Sequence, residues 1–183
     1  MSCTWPDGTS SFGTGWLFGP NDVATAAHVV YSQENGGYPS SIIFYPGVNN
    51  SGSIVGASYK ATIAVLPATY QSERDATKDY AFLSLNSNIG NTLGYLGWTT
   101  SVSVGNTMAL TGYAGEHAYE LWEGIGQIKS TSGSFLRYTA DSSGGMSGGA
   151  IYLTIQMKAA GFNHGGYPCL LYTSPSPRDR SVS

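Results

Sequence analysis

The sequence predicts an all-β chain, and three observations carry that expectation. Short apolar runs alternate with clusters of Gly, Asn, Ser and Pro, at the spacing of a sandwich or barrel. No stretch shows heptads or long helical periodicity. Glycine supplies 25 of the 183 residues, and charged residues only 10%, against roughly 25% in an average soluble domain. The length suits one domain or two small ones sharing an interface, enough to bury a core without staples.

The elements follow in order. Phe12 to Phe18 is apolar and aromatic, with glycines that suggest a bulge or close backbone approach. Gly19-Pro20-Asn21-Asp22 is a turn, and Val23 to Ala27 a short buried strand of small residues ending at His28. Ser41 to Tyr45 is a strand stopped by Pro46-Gly47, and Asn49 to Gly52 reads as a hairpin turn. Tyr59 to Val65 alternates as a strand does. Gln71 to Lys78 is polar and reads as a surface loop, whereas Tyr80 to Leu85 is a compact buried strand. The turn-rich stretch from Asn86 to Gly97 is a boundary region. Further strands are expected at 107–111, 124–128, 135–139, 150–155 and 158–162. No period repeats.

Composition also excludes. A formal net charge of −3 leaves no basic stripe to neutralise phosphates, so nucleic acid is not an expected partner. No apolar run approaches the roughly 18 residues a membrane span needs. Met1 to Trp5 shows no charged segment followed by an apolar one, so no signal peptide is visible. Either the protein is cytoplasmic or the fragment begins inside a longer precursor. Residues 169–183 read as a non-native tail: Cys169 to Asp179 resembles, without mismatch, a translated transposon-end adapter from sequencing libraries. The natural chain is then expected to continue beyond Pro168. Cys3 is left as the one natural cysteine, and no disulfide framework follows.

Three segments carry chemistry. Thr25-Ala26-Ala27-His28-Val29 places a histidine after small residues, where neighbours can crowd close. Lys78-Asp79-Tyr80 places a carboxylate at the mouth of a buried strand. Ser143-Gly144-Gly145-Met146-Ser147-Gly148-Gly149 surrounds one serine with glycines that permit positive φ and close approach of a ligand. A serine hydroxyl is a weak nucleophile until a base takes its proton. An imidazole suits that role near neutral pH, and a buried carboxylate fixes its tautomer. A glycine two positions before the serine leaves its N–H to point, with the serine N–H, at a developing oxyanion. Asp75 and Asp141 are alternative orienters, His117 and His164 alternative bases, and Ser142 and Ser143 lie near the serine without its glycine setting.

These segments resemble the trypsin-like, chymotrypsin-fold serine endopeptidases, and most of all the V8-like glutamyl endopeptidases of bacteria. The stretches from Pro6 to His28, Ile42 to Gly52, Leu110 to Glu116 and Leu121 to Ile128 extend the resemblance over residues 5 to about 168. It implies two packed antiparallel β-barrels, residues 1–97 and 98–168, truncated at the C-terminal end. It implies His28 as base, Asp79 as orienter and Ser147 as nucleophile, with Gly145 and Ser147 forming the oxyanion hole. It implies peptide-bond hydrolysis of polypeptides by a secreted enzyme, with no metal or organic cofactor, and nothing in the sequence suggests more than a monomer. Glutamate at P1 would draw on Ser142, five positions before the nucleophile, and on a histidine of the segment from Gly161 to Gly166. Asn163 takes that histidine's place, and His164 falls one residue late. It should face away from the pocket unless a bulge re-aims it.

Met146 departs from the family's Asp or Asn before the nucleophile, and a side chain that can only pack predicts a less firmly held oxyanion loop. Val29 replaces the common cysteine after the histidine, so no disulfide should brace the first barrel. Loss of the C-terminal elements predicts apolar surface exposed on the second barrel. Two rivals stand beside the peptidase. One is a catalytically silent binding protein of the same fold. The other is a secreted carbohydrate-binding β-sandwich, suggested by Trp5, Trp16, Trp98 and Trp122, although core packing explains such aromatics better.

Overall fold

The computed structural model describes residues 1–48, 57–117 and 120–164, and the backbone of 170–172. The hairpin turn expected at Asn49 to Gly52 lies outside the described residues.

Among the described residues, fourteen strands form two sheets of seven strands each. The first contains β1 (Ser2–Thr4), β2 (Ser10–Phe12), β3 (Trp16–Leu17), β4 (Asp22–Thr25), β5 (Ser41–Phe44), β6 (Tyr59–Val65) and β7 (Ala81–Leu85). Its order is β2-β1-β5-β6-β7-β4-β3. The two edge strands, β2 and β3, are consecutive in sequence, so Gly13-Thr14-Gly15 joins the sheet's ends and curls it. A Cβ on Gly13 would meet Val29 Cγ1 at 2.7 Å, and one on Gly15 would meet Met1 Sδ at 2.8 Å. Glycine at these two positions avoids both contacts.

The second sheet contains β8 (Gly97–Trp98), β9 (Thr107–Tyr113), β10 (Leu121–Ser132), β11 (Phe135–Tyr138), β12 (Ala150–Leu153), β13 (Lys158–Asn163) and β14 (Leu170–Tyr172). Its order is β12-β9-β10-β11-β14-β13-β8, and an added β12–β13 pairing closes a six-stranded ring. β14 falls in the tail that sequence reasoning set aside. It fills the gap between β11 and β13, a place where any extended segment can satisfy the backbone groups of its two neighbours.

Each sheet wraps its own core. Cys3, Trp5, Val23, Val30, Leu83 and Leu85 are buried in the first, and Met108, Leu110, Ile128, Leu136 and Ile151 in the second. Between them sits an aromatic seam of Trp16 and Phe18 from the first sheet with Ala150 and Ala159 from the second, packed by Phe82 and Trp98. Trp16 and Trp98 have ring centroids 4.7 Å apart, and Phe18 and Trp98 5.5 Å. Each such pair adds roughly 0.5–1.5 kcal/mol beyond burial.

Two curled sheets with a shared seam make the chymotrypsin-like double barrel and exclude the β-sandwich. Trp5, Trp16 and Trp98 are used in packing, while Trp122 is exposed and stacks on His117 at 4.1 Å. Leu121 and Ile125, near it on β10, are also exposed.

The helices are short. α1 (Ala27–Val30) follows β4 directly, so His28 stands on a helical turn and not at a strand end. α2 (Ala68–Glu73) and a 3₁₀ turn (Ala76–Lys78) occupy much of the segment read as a polar loop. Six residues with one buried side chain, Tyr70, are too few to show a helical period. α3 (Gly90–Leu93) lies in the boundary region. Cys3 is a free, buried thiol that donates to Val29 O at 3.3 Å.

Candidate active site

The site begins with strand register. β4 and β7 pair antiparallel with Thr25 opposite Ala81. His28 lies three residues beyond Thr25, and Asp79 two residues before Ala81, so both leave the same end of that pair. Asp79 ends the 3₁₀ turn and is fully buried. Its Oδ1 accepts the His28 backbone N–H at 2.8 Å, and its Oδ2 lies 2.7 Å from His28 Nδ1. The same Oδ2 is in close contact with His164 Nδ1. Burial alone would raise the Asp79 pKa. Hydrogen bonds from His164 and His28 outweigh it and hold the carboxyl far below the usual carboxylate range. An ionised carboxylate only accepts, so each imidazole faces Asp79 with Nδ1 as the donor. Tyr70 on α2 is the third ionisable neighbour. Burial and the Asp79 charge push its phenol pKa up.

Ser147 is half-buried on a tight turn before β12. Gly145 has φ +92° and Gly148 φ +82°, the left-handed region that side chains rarely adopt. A Cβ on Gly145 would lie 2.6 Å from Tyr113 O. One on Gly148 would lie 2.3 Å from both Thr14 O and Thr25 Oγ1, and 2.9 Å from Ala26 N. The turn is therefore pressed against the backbone that leads into His28. Neither the Gly145 nor the Ser147 N–H is taken by a backbone carbonyl among the described residues.

Thr14 is the residue that sequence reasoning missed. It is buried, and its Oγ1 donates to Gly145 O at 2.9 Å while accepting the Tyr113 N–H at 2.9 Å. Its backbone N–H donates to Ser147 O at 2.9 Å, and its carbonyl accepts from Thr25 Oγ1 at 2.7 Å. The available signal was a hydroxyl between two glycines that lead toward the histidine.

Met146 does pack, in the second core. The loop around it is hydrogen-bonded at three points. Gly115 N–H donates to Gly144 O at 2.6 Å, Asn163 Nδ2 to Met146 O at 3.2 Å, and Gly148 N–H to Asn163 O at 2.6 Å. Its carbonyls find partners elsewhere, so the Met146 side chain need not supply one.

The three candidates for the substrate pocket separate. Ser142 is half-buried on the segment before Ser147. Asn163 is fully buried, its Oδ1 accepting from Tyr138 OH at 3.0 Å. His164 is turned onto Asp79. Of the remaining alternatives, Asp75 caps the 3₁₀ turn by accepting from Thr77 N at 2.8 Å. Asp141 and His117 are exposed, and Ser143 Oγ is buried without a hydrogen-bond partner.

Among the described residues, His28, Asp79 and His164 are the one group with ligand atoms close enough to share a metal ion. Zinc at about 2.0 Å from each ligand would hold them about 3.2 Å apart. The 2.7 Å between His28 Nδ1 and Asp79 Oδ2 is the spacing of a shared proton.

A histidine held by a buried carboxylate, a glycine-rich serine turn packed against the backbone that leads to it, and two curled β-sheets are features of the trypsin-like peptidase class. The trypsin-like peptidase domain matches residues 13–156, and the chain belongs to that family. It is 36% identical over 149 residues to a glutamyl endopeptidase of Bacillus licheniformis, covering 79% of this chain and 46% of that one. It is 34% identical over 157 residues to a Bacillus subtilis protein named extracellular metalloprotease, covering 83% and 50%. A solved Glu endopeptidase in complex with MPD superposes with a TM-score of 0.81 at 27% identity, covering 97% of this chain and 84% of that one. The chain spans about half the length of the curated relatives it matches.

Proposed function

We propose that this chain carries the catalytic unit of a bacterial serine endopeptidase that acts on polypeptides outside the cell as a monomer. The observation that carries the reading is the two-point hold of Asp79 on His28, through the backbone N–H and Nδ1. His28 Nε2 takes the proton of Ser147 Oγ as that oxygen attacks the scissile carbonyl. The oxyanion that forms is met by the N–H groups of Gly145 and Ser147. The His28 imidazolium, stabilised by Asp79, returns the proton to the leaving amine. Water then attacks the acyl-enzyme by the same route and frees the acid. Residues 1–97 supply the base and orienter, and residues 98–168 the nucleophile.

Glutamate at P1 is the finer reading, supported by the glutamyl endopeptidase relatives and by the place of Ser142. With His164 on Asp79 and the Asn163 amide engaged within the fold, a P1 carboxylate meets neutral donors. Neutral hydrogen bonds contribute about 1 kcal/mol, roughly half what a charged donor contributes. Glutamate should then be favoured over glutamine by no more than about tenfold in kcat/KM.

The test is intact mass after fluorophosphonate treatment of the chain and of Ser147→Ala, followed by a P1 peptide panel. One adduct, lost in the alanine variant, is expected. A folded chain that takes no adduct would instead be a silent binding protein of this fold. Glutamate peptides cleaved far more slowly than Gln, Leu or Phe peptides would end the P1 reading.

A further inference from the structure

We infer that His164 is a positioning residue of the triad, a second imidazole that donates its Nδ1–H to Asp79 Oδ2 beside the one from His28. The inference deepens the serine peptidase reading and rests on it.

Asp79 offers about four lone-pair sites when ionised. Oδ1 takes the His28 backbone N–H, and Oδ2 takes the two imidazole protons. A carboxylate removed from water needs such donors, and the third one comes from the other barrel. Asp79 precedes β7 of the first sheet, whereas His164 directly follows β13 of the second.

The backbone before His164 is locked to the nucleophile turn. Asn163 N–H donates to Gly149 O at 2.8 Å, and Gly148 N–H donates to Asn163 O at 2.6 Å. Position 164 therefore cannot shift without shifting the turn that carries Ser147. His164 thus ties the orienter in one barrel to the nucleophile loop of the other. Its ring also meets the His28 ring edge to face, with centroids 5.6 Å apart and planes at 85°. That contact restrains the base from swinging off Asp79 as its positive charge develops.

Strand alternation explains the placement. Asn163 points into the second barrel under Met146, so its neighbour points the opposite way, toward the first barrel's carboxylate. A histidine one position earlier would have occupied the Asn163 site.

The experiment uses the whole chain, labelled with ¹⁵N-histidine, and His164→Ala, His164→Ser, Asp79→Asn and His28→Ala. The unsubstituted chain should show two strongly deshielded imidazole Nδ1–H resonances. One should vanish in His164→Ala and both in Asp79→Asn. His164→Ala should lower kcat by about ten- to a hundredfold, the worth of one hydrogen bond to a charged group, with KM changed less than twofold. His164→Ser keeps a donor and should regain most of the loss. His28→Ala should abolish labelling by the fluorophosphonate. A single deshielded resonance in the unsubstituted chain would overturn the inference even if no variant folds. So would His164→Ala with unchanged kcat, or with a loss equal to that of His28→Ala. Two resonances in a chain that is neither labelled nor hydrolytic would overturn the peptidase reading, and this role with it.

Discussion

Thr14 shows how one buried hydroxyl can organise a site it does not react in. Its Oγ1 serves Gly145 O and the Tyr113 N–H together, at 2.9 Å each, so it sets the height of the peptide proposed to face the oxyanion. Valine has nearly the same shape and can make neither bond. Thr14→Val should leave a part-buried carbonyl and a part-buried N–H without this partner, at about 1–2 kcal/mol each. Stability in urea should fall by about 2–4 kcal/mol, and fluorophosphonate labelling should slow by about tenfold or more. Thr14→Ser should recover much of both. Labelling by the valine variant at the original rate would show that the bridge is structural only. His28, Asp79 and Ser147 stand out as candidates in the sequence because their residue types and order carry chemistry on their face. Thr14 does not, because a buried threonine reads as packing until its partners are known. The same holds for His164. Alternation alone turned it from the pocket, but its partner lies 85 residues away in the chain.

At the level of elements, the turn that carries Ser147 depends on glycine at two positions of positive φ, Gly145 and Gly148. Two different costs meet at Gly148. Its φ of +82° disfavours any L residue, and a Cβ would strike the Thr14 carbonyl at 2.3 Å. Gly8 isolates the first cost, since it has φ +84° with open space where a Cβ would lie. Gly8→Ala should therefore cost about 1–2 kcal/mol and leave labelling unchanged. Gly148→Ala should cost about 4 kcal/mol or more, because the obstacle is backbone that cannot swing aside. It should also slow labelling by over about a hundredfold, since the turn must lift from Thr25 and Ala26. Equal urea midpoints for the two variants would refute the close-approach account. The strands with alternating or continuous apolar runs, such as β6 and β7, were legible within a residue or so. β1, β8 and β14 have two or three residues each. Strands that short are made by their neighbours' backbone groups and leave no pattern of their own. α2 escaped for the matching reason, and with it the approach of Tyr70 to Asp79.

Across the whole molecule, the carboxylate between the barrels links acidity to stability. Asp79 faces His28, His164 and the Tyr70 phenol, whose ring lies under Arg74 at 5.9 Å. Its pKa is depressed in the folded chain, against the buried site's tendency to raise it. In the unfolded chain it returns to about 3.9. A depressed folded pKa means that the unfolded state binds the proton first as pH falls. The stabilisation is thus fully present above about pH 5 and is lost progressively below the unfolded value, toward the folded one. Asp79→Asn cannot ionise and lacks this dependence. The stability gap between the two proteins, measured in urea, should shrink by about 1 kcal/mol between pH 5 and pH 3. A constant gap over that range would mean that Asp79 is not held ionised by its two histidines. The cross-barrel contact also explains why acid should loosen the seam early. A protonated Asp79 keeps its place in the first barrel but gives up an acceptor site toward His164. That weakens one of the polar ties holding the nucleophile turn to the base, beside those made by Thr14. The deshielded His164 Nδ1–H resonance should therefore be lost at a pH where the first barrel's own core is still folded. Burial of the Cys3 thiol reports that core directly, since the thiol's pKa is pushed up to about 11 by its surroundings. It should stay closed to a thiol reagent until that barrel opens. A thiol exposed as early as that resonance is lost would show one cooperative unit, with no seam that parts first.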